Sequence, residues 1–150
     1  MANSFISMNI HYVFSTKNRE KFIEKELQQR LWPYMGGIAK QNNIIAHSIG
    51  GTEDHAHLLL SLPGSISPSK AIQLIKSGSS KWIHESFPDK SGFYWQTGYA
   101  AFSVSISNID RIIKYIQNQE KHHKTVTFQQ EYLAFLKNSG IDYDERHIWG

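Results

Sequence analysis

Cysteine is absent from the sequence. This absence excludes disulfide bonds, zinc sites built on thiolates and a thiol nucleophile, and it is typical of proteins in a reducing compartment. Apolar runs are also short: none approaches the roughly 18 residues of a membrane-spanning helix. The first residues lack the basic and apolar segments of a secretory signal. We therefore expect a cytoplasmic protein with no membrane partner.

Neither sign of charge dominates the chain: 16 Lys and Arg side chains stand against 13 Asp and Glu, a net charge of +3. A mildly basic protein can bind nucleic acid, but this balance does not require it. Hydrophobic residues make up 40% of the chain and aromatic residues 13%, which excludes a disordered protein. At this length we expect residues 1–150 to form one domain with a substantial core.

The stretch from Asp54 to Leu62 predicts a short, largely buried strand. Side chains alternate across a strand, so His55 and His57 share one face while Leu58 and Leu60 share the other. Two imidazoles on a rigid strand can hold one metal ion or one phosphate. The same pattern also fits a polar strand end whose histidines meet only water.

Apolar periodicity predicts the other elements. A strand, a helix and a strand precede the histidine strand, and a helix, a strand and two helices follow it. A loop of about four residues makes the histidine strand the antiparallel partner of the strand before it. In the first strand, Asn9, His11 and Val13 form the face opposite the apolar one, so we expect a half-buried strand. The expected ranges are strands at 7–16, 44–50 and 99–107, and helices at 23–41 (with Pro33 and Gly36–Gly37 as points of division), from Ser67–Pro68 onward, 108–121 and 127–137.

This order of elements predicts an α+β fold: a small antiparallel sheet flanked by helices, with a ferredoxin-like or RRM-like layout. RNA-binding domains, phosphoesterases and replication nucleases share such sheets, so the fold class alone does not decide the function.

The helix at 108–121 places Tyr115 away from its isoleucine stripe, with Gln119 four residues later on the same ridge and Arg111 near it. A phenol on an exposed, rigid ridge can attack phosphorus when a cation or base lies nearby, because its ordinary pKa is about 10. An ordinary half-buried helix tyrosine fits the pattern equally. In the polar loop at 16–21, Lys17, Arg19 and Lys21 can contact phosphates or simply face solvent.

Taken together, these motifs resemble a known family. His55-Ala56-His57, preceded by Asp54, matches the His-hydrophobic-His motif, and Tyr115 to Gln119 matches a Tyr-x-x-x-Gln helix motif. The opening segment 11–19 and the closing segment 142–146 add to the likeness, which covers nearly the whole chain. The chain resembles the single-tyrosine HUH transposases of the insertion-sequence 200/605 group, including relatives associated with repeated palindromes.

The resemblance implies a bacterial or archaeal enzyme that cleaves and rejoins single-stranded DNA beside hairpins. Tyr115 would attack the scissile phosphate, leaving a 5′-phosphotyrosine and a free 3′-OH, so that rejoining needs no external energy source. His55, His57 and Gln119 would hold a divalent ion, Mg²⁺ or Mn²⁺, although two imidazoles also suit Zn²⁺.

It also implies secondary assignments. Glu53 is a candidate extra ligand, and Lys17, Arg19, Lys21 and Arg111 are candidate DNA contacts. The family suggests a homodimer in which the tyrosine helix of one chain completes the histidine site of the other.

Two other functions fit parts of the pattern. A catalytically inactive descendant would keep hairpin-DNA recognition, or the sheet would bind RNA. A metallohydrolase with an HxH site would need further carboxylate or histidine ligands nearby, and a covalent protein–DNA adduct would exclude it.

Overall fold

A four-stranded antiparallel sheet organises the chain, which the computed structural model describes over residues 4–150. The strands are β1 (Asn9–Ser15), β2 (Ile45–Gly51), β3 (His55–Ser61) and β4 (Ala100–Ser103), and they lie in the order β2-β3-β1-β4. Helix α1 (Lys25–Gln41) connects β1 to β2, and α2 (Pro68–Ser86) connects β3 to β4. The α+β prediction, with its ferredoxin-like layout and the β2–β3 antiparallel pair, is confirmed.

One face of the sheet packs against α1 and α2. Tyr12 and Phe14 of β1, with Leu58 and Leu60 of β3, are fully buried there. Helix α1 runs through Pro33 and the glycine pair without dividing. Helix α2 begins as its sequence predicts: the Ser67 side chain accepts a hydrogen bond from the Lys70 N–H and Pro68 occupies the first turn. No helix within residues 4–150 is long and apolar enough to cross a membrane.

Three further helices cover the other face: α3 (Ile109–Gln117), α4 (Gln119–His122) and α5 (Phe128–Asn138). An apolar stripe on α5, made of Phe128, Tyr132 and Leu136, packs against Val13 and Ala100. The prediction of a half-buried first strand is therefore wrong, because β1 lies under helices on both faces. His11 and Val13 are fully buried within this second layer.

Two predicted boundaries also differ from the structure. The strand expected at 99–107 ends at Ser103, and a short 3-10 turn at Ile106–Asn108 leads into α3. The helix expected to continue to 121 is interrupted at Asn118, whose φ of −98° and ψ of 18° are not helical. Asparagine is a weak helix former, since its short polar side chain stabilises non-helical backbone. Tyr115 and Gln119 consequently lie on two successive helices.

A glycine on β2 lets the tyrosine helix approach the sheet closely. A Cβ atom at Gly50 would lie 3.0 Å from Ile116 Cγ2 and 3.3 Å from the Ile116 carbonyl oxygen. Gly50 also pairs with His57 across the β2–β3 ladder. The missing side chain thus allows the residue next to Tyr115 to pack against the strand beside the histidine pair.

Candidate active site

The two histidines of β3 lie side by side and fully buried, facing α3, α4 and α5. His55 Nδ1 lies 2.8 Å from Asp54 Oδ1 and 2.9 Å from Thr52 Oγ1. Although burial favours the neutral acid, hydrogen bonds from His55 and Thr52 lower the pKa of Asp54, which is therefore a carboxylate. A carboxylate on Nδ1 fixes the orientation of the His55 ring and turns its Nε2 towards the helices.

His57 is held in the same way by a histidine of β1. His57 Nδ1 lies 2.9 Å from His11 Nε2, and the two rings stack with centroids 5.1 Å apart. Burial, together with repulsion from His57, lowers the pKa of His11 to about 3, and burial also lowers the pKa of His57. Both rings are thus neutral near pH 7, and His57 Nε2 is free to face the helices.

Gln119, at the start of α4, reaches the histidine pair. Its Oε1 lies 2.9 Å from His55 Nε2 and 3.0 Å from His123 Nε2. Its Nε2 donates to the Tyr115 carbonyl oxygen over 3.3 Å, which assigns the amide orientation. The spacing of four residues that the sequence shows therefore brings Gln119 to His55 despite the break in the helix.

A buried carboxylate, Glu131 of α5, lies at the centre of these groups. Its Oε1 lies 3.0 Å from His57 Nε2, 3.2 Å from His123 Nε2 and 3.5 Å from His55 Nε2. Burial favours its neutral form, but hydrogen bonds from His123 and His57 hold the pKa of Glu131 far below its usual range. Glu131 is therefore an anion enclosed by imidazoles.

Tyr115 is turned into the same cluster within a single chain. Its ring centroid lies 5.6 Å from that of His57, and its hydroxyl donates to Glu131 Oε2 with His122 Nε2 3.3 Å away. Of the two positions that fit the sequence pattern, exposed and half-buried, the structure has the half-buried one, and the hydroxyl points inward. Burial, followed by the charge of Glu131, raises the pKa of Tyr115 well above its ordinary value, so the phenol keeps its proton.

The cluster has a donor set that fits a divalent cation. His55, His57, His123 and Glu131 each offer a ligand atom, and all four atoms lie within 4.8 Å of one another. Imidazole nitrogen and carboxylate oxygen are ordinary ligands for divalent metals. Asp54 and His11 fix the rings of His55 and His57 from behind, as outer partners of metal-binding histidines commonly do.

The remaining sequence candidates lie outside this cluster. Glu53 is exposed, and its carboxylate lies 3.7 Å from Lys21 Nζ instead of facing the histidines. Lys17 Nζ lies 5.9 Å from the Tyr94 ring centroid, Arg19 lies over the Trp149 ring at 5.3 Å, and Arg111 is exposed on α3.

A cavity of about 600 Å³ opens beside the cluster. The lining combines three lysines with three acidic residues: Lys21, Lys25, Lys124, Glu53, Asp54 and Glu120. His123 also lines the cavity, so the opening carries charges of both signs and reaches the cluster.

Sequence reasoning missed three residues of the site: His11, His123 and Glu131. Glu131 did carry a signal, because it follows Phe128 by three residues and so places a carboxylate on the apolar stripe of α5. His123 follows Gln119 by four residues, which puts it on the same side of the α4 turn. For His11 the sequence gave only its position on the face of β1 opposite the apolar side chains.

Comparison with known proteins finds a matching family. A model of the family described as IS200-like transposase matches residues 4–119. The transposases for insertion sequence element IS200 of Salmonella typhimurium (strain LT2) and of Salmonella typhi are each 25% identical to the chain over 129 residues, covering 83% of this chain and 84% of each relative.

Two solved structures share the fold. One is a candidate transposase from Deinococcus radiodurans R1, with a TM-score of 0.66, 23% identity and coverage of 79% of this chain and 95% of that one. The other is a REP-associated tyrosine transposase bound to a REP hairpin, with a TM-score of 0.62, 15% identity and coverage of 84% of this chain and 74% of that one. Since the family match spans well over half of its residues, the chain belongs to the IS200-like transposase family.

Proposed function

We propose that this transposase cleaves and rejoins single-stranded DNA with Tyr115 as its nucleophile. The observation that carries the proposal is the position of the Tyr115 hydroxyl beside the buried pair His55 and His57. The hydroxyl donates to a carboxylate surrounded by imidazoles, and these are groups that can take a proton and hold a metal ion.

In the proposed step, Tyr115 Oη forms a bond to the scissile phosphorus while the bond from phosphorus to the 3′-oxygen breaks. The leaving 3′-oxygen takes a proton from solvent, so the products are a 5′-phosphotyrosine and a free 3′-OH, and attack by a 3′-OH reverses the step. Glu131 Oε2 accepts the hydrogen bond of the phenol, so it is placed to take the proton as the new bond forms.

His55, His57 and Gln119 would hold a divalent ion, Mg²⁺ or Mn²⁺. When bound, the ion supplies positive charge to the non-bridging oxygens of the scissile phosphate. The His55 and His57 rings are already oriented by Asp54 and His11, so little ordering is needed to bind it.

The proposed substrate is single-stranded DNA next to a hairpin, acted on in the cytoplasm. The structural neighbour solved with a REP hairpin supports this choice. Lys17, Arg19, Lys21 and Arg111 are the proposed phosphate contacts, and Tyr94, 52% exposed beside Lys17, offers a ring for an unpaired base.

A homodimer remains part of the proposal, and its active sites can be tested by mixing. Tyr115 contacts the histidines of its own chain, which supports sites built within single chains. Mixed dimers of His57→Ala and Tyr115→Phe protein should then stay inactive. If tyrosine helices were exchanged between chains, recovery to roughly a quarter of wild-type activity is expected, because half of randomly assorted dimers would carry one intact site.

The decisive experiment uses end-labelled hairpin DNA with a single-stranded flank and Mn²⁺. Tyr115→Phe should abolish both cleavage and the covalent adduct seen on a denaturing gel, while DNA binding stays near normal, since only the nucleophilic oxygen is lost. Tyr34→Phe, on α1 beside Trp82, is the matched control and should cleave normally. An adduct that persists in Tyr115→Phe would remove Tyr115 from this role, and binding without cleavage by the wild type would favour a DNA-binding descendant.

A further inference from the structure

We infer that His123 and Glu131 are ligands of the metal ion together with His55, His57 and Gln119, which makes a nitrogen-rich site that takes Mn²⁺ or Zn²⁺ in preference to Mg²⁺. The catalytic role of the ion rests on the proposed function, whereas the binding of the ion does not. Both added ligands lie beyond residues 4–119, the part of the chain that the family match covers.

The hydrogen bonds of His123 show which of its nitrogens carries the proton. His123 Nδ1 lies 2.6 Å from the carbonyl oxygen of Val126, which can only accept, so Nδ1 must donate. His123 Nε2 is then the nitrogen that faces the cluster. It lies 3.0 Å from Gln119 Oε1 and 3.2 Å from Glu131 Oε1.

His55 is turned towards the same two oxygens. Its Nδ1 is 2.8 Å from the Asp54 carboxylate, which directs Nε2 into the cluster. His55 Nε2 lies 2.9 Å from Gln119 Oε1 and 3.5 Å from Glu131 Oε1. The Gln119 amide keeps its oxygen towards both imidazoles, because its Nε2 donates to the Tyr115 carbonyl.

Two imidazole nitrogens and two acceptor oxygens thus converge on one buried volume. His57 Nε2 is the third imidazole nitrogen there, 3.0 Å from Glu131 Oε1. Without metal, protons on the imidazoles bridge them to the Glu131 carboxylate. A single divalent ion would replace these protons and accept a lone pair from every one of these atoms.

The spacing and the charge of the donors agree with this assignment. Ligands at right angles around an ion with bonds of about 2.1 Å lie roughly 3.0 Å apart. The contacts between neighbouring donors here run from 2.9 to 3.5 Å. Glu131 also supplies the negative charge that two imidazoles and an amide lack. The ion can therefore bind before the DNA supplies a phosphate.

The donor types decide which ion is preferred. Three imidazole nitrogens are strong ligands for Zn²⁺ and acceptable ones for Mn²⁺, whereas Mg²⁺ prefers oxygen ligands and retains its waters. DNA-free protein should therefore bind Zn²⁺ most tightly, then Mn²⁺, with Mg²⁺ weaker than Zn²⁺ by at least about a hundredfold.

The test is calorimetric titration of the DNA-free, full-length protein with ZnCl₂, MnCl₂ and MgCl₂. Glu131→Gln and His123→Gln should each weaken Zn²⁺ and Mn²⁺ binding by at least about tenfold. Glu120→Gln, an exposed glutamate of α4 that pairs with Lys25, is the matched control and should bind as the wild type does. X-ray absorption of Zn²⁺-loaded wild-type protein does not depend on the folding of a variant, and it should show three imidazoles in the coordination sphere. In His123→Gln the number should fall to two.

Wild-type affinity in both variants, or only two imidazoles around Zn²⁺ in the wild type, would overturn the inference. Unchanged metal affinity with faster cleavage by Glu131→Gln would also overturn it, and would make Glu131 a carboxylate that blocks the phosphate position. Because these measurements use no DNA, they can succeed when strand cleavage fails. Conversely, an assay can detect cleavage by Tyr115 even when the metal ion does not bind to His123 and Glu131.

Discussion

Replacing Gly50 with alanine is a sharp test of how the sheet positions the nucleophile. The new Cβ would lie 3.0 Å from Ile116 Cγ2 and 3.3 Å from the Ile116 carbonyl oxygen, so α3 must move outward by a few tenths of an ångström. Ile116 follows Tyr115 directly, and the movement therefore carries the hydroxyl away from the histidine pair. A misplacement of about 1 Å can cost roughly a hundredfold in rate, so we expect a loss of about tenfold here.

Folding should be affected less than catalysis. Alanine in place of glycine reduces the entropy of the unfolded chain, which favours folding by about 0.5–1 kcal/mol and offsets part of the strain. The assay is the single-turnover cleavage rate of labelled hairpin DNA, measured alongside thermal unfolding. Gly50→Ala should cleave about tenfold more slowly with only a small change in melting temperature.

Two further variants separate the position of α3 from general damage. Gly37→Ala has no atom within 4 Å of the new Cβ and should cleave at the wild-type rate. Ile116→Leu removes the Cγ2 methyl, so in the Gly50→Ala background it should recover part of the lost rate, although the carbonyl contact remains. A wild-type rate for Gly50→Ala, or no recovery in the double variant, would refute the reasoning.

The metal ion, acid pH and the DNA each give another prediction. His57→Ala should lower cleavage at least about a hundredfold by removing a ligand, and full wild-type activity in EDTA would contradict the metal role. The pKa of His11 is about 3 in the folded chain and about 6.5 in the unfolded chain, so the unfolded chain takes up a proton first as the pH falls. In EDTA, acidification from about pH 7.5 to about pH 5 should therefore lower the free energy of unfolding by about 2 kcal/mol. Urea unfolding of His11→Phe should show that much less loss, and an equal loss would exclude His11 as the source. Binding should favour hairpin or single-stranded DNA over a plain duplex and weaken with salt, measured by fluorescence anisotropy.

The sequence predicted the part of the site that depends on local spacing. Alternation placed His55 and His57 on one face of β3, and a four-residue interval placed Gln119 within reach of them. It missed groups whose positions depend on long-range packing. His11 meets His57 only because β1 pairs with β3, and Glu131 reaches the cluster only because α5 folds back over the sheet.

The inward direction of the Tyr115 hydroxyl was equally hidden. A helical projection gives the angle of a side chain around its own helix, but it does not show what covers that helix. The position of Tyr115 off the isoleucine stripe fits an exposed or a half-buried ring, and only the fold shows that α5 lies over it and supplies Glu131. The break at Asn118 has a local cause, yet a single asparagine is compatible with a continuous helix as well.

The central place of β1 also bears on how the protein is made. This strand leaves the ribosome before its two partners, β3 and β4, which follow much later in the chain. Until then its apolar residues and both of its edges lack their native cover, so folding should be slow and the nascent chain should be prone to aggregate. The cluster in turn cannot assemble before α5 has been synthesised, since Glu131 lies on that helix. A protein proposed to cut DNA would thereby stay inert on the ribosome until α5 has been made.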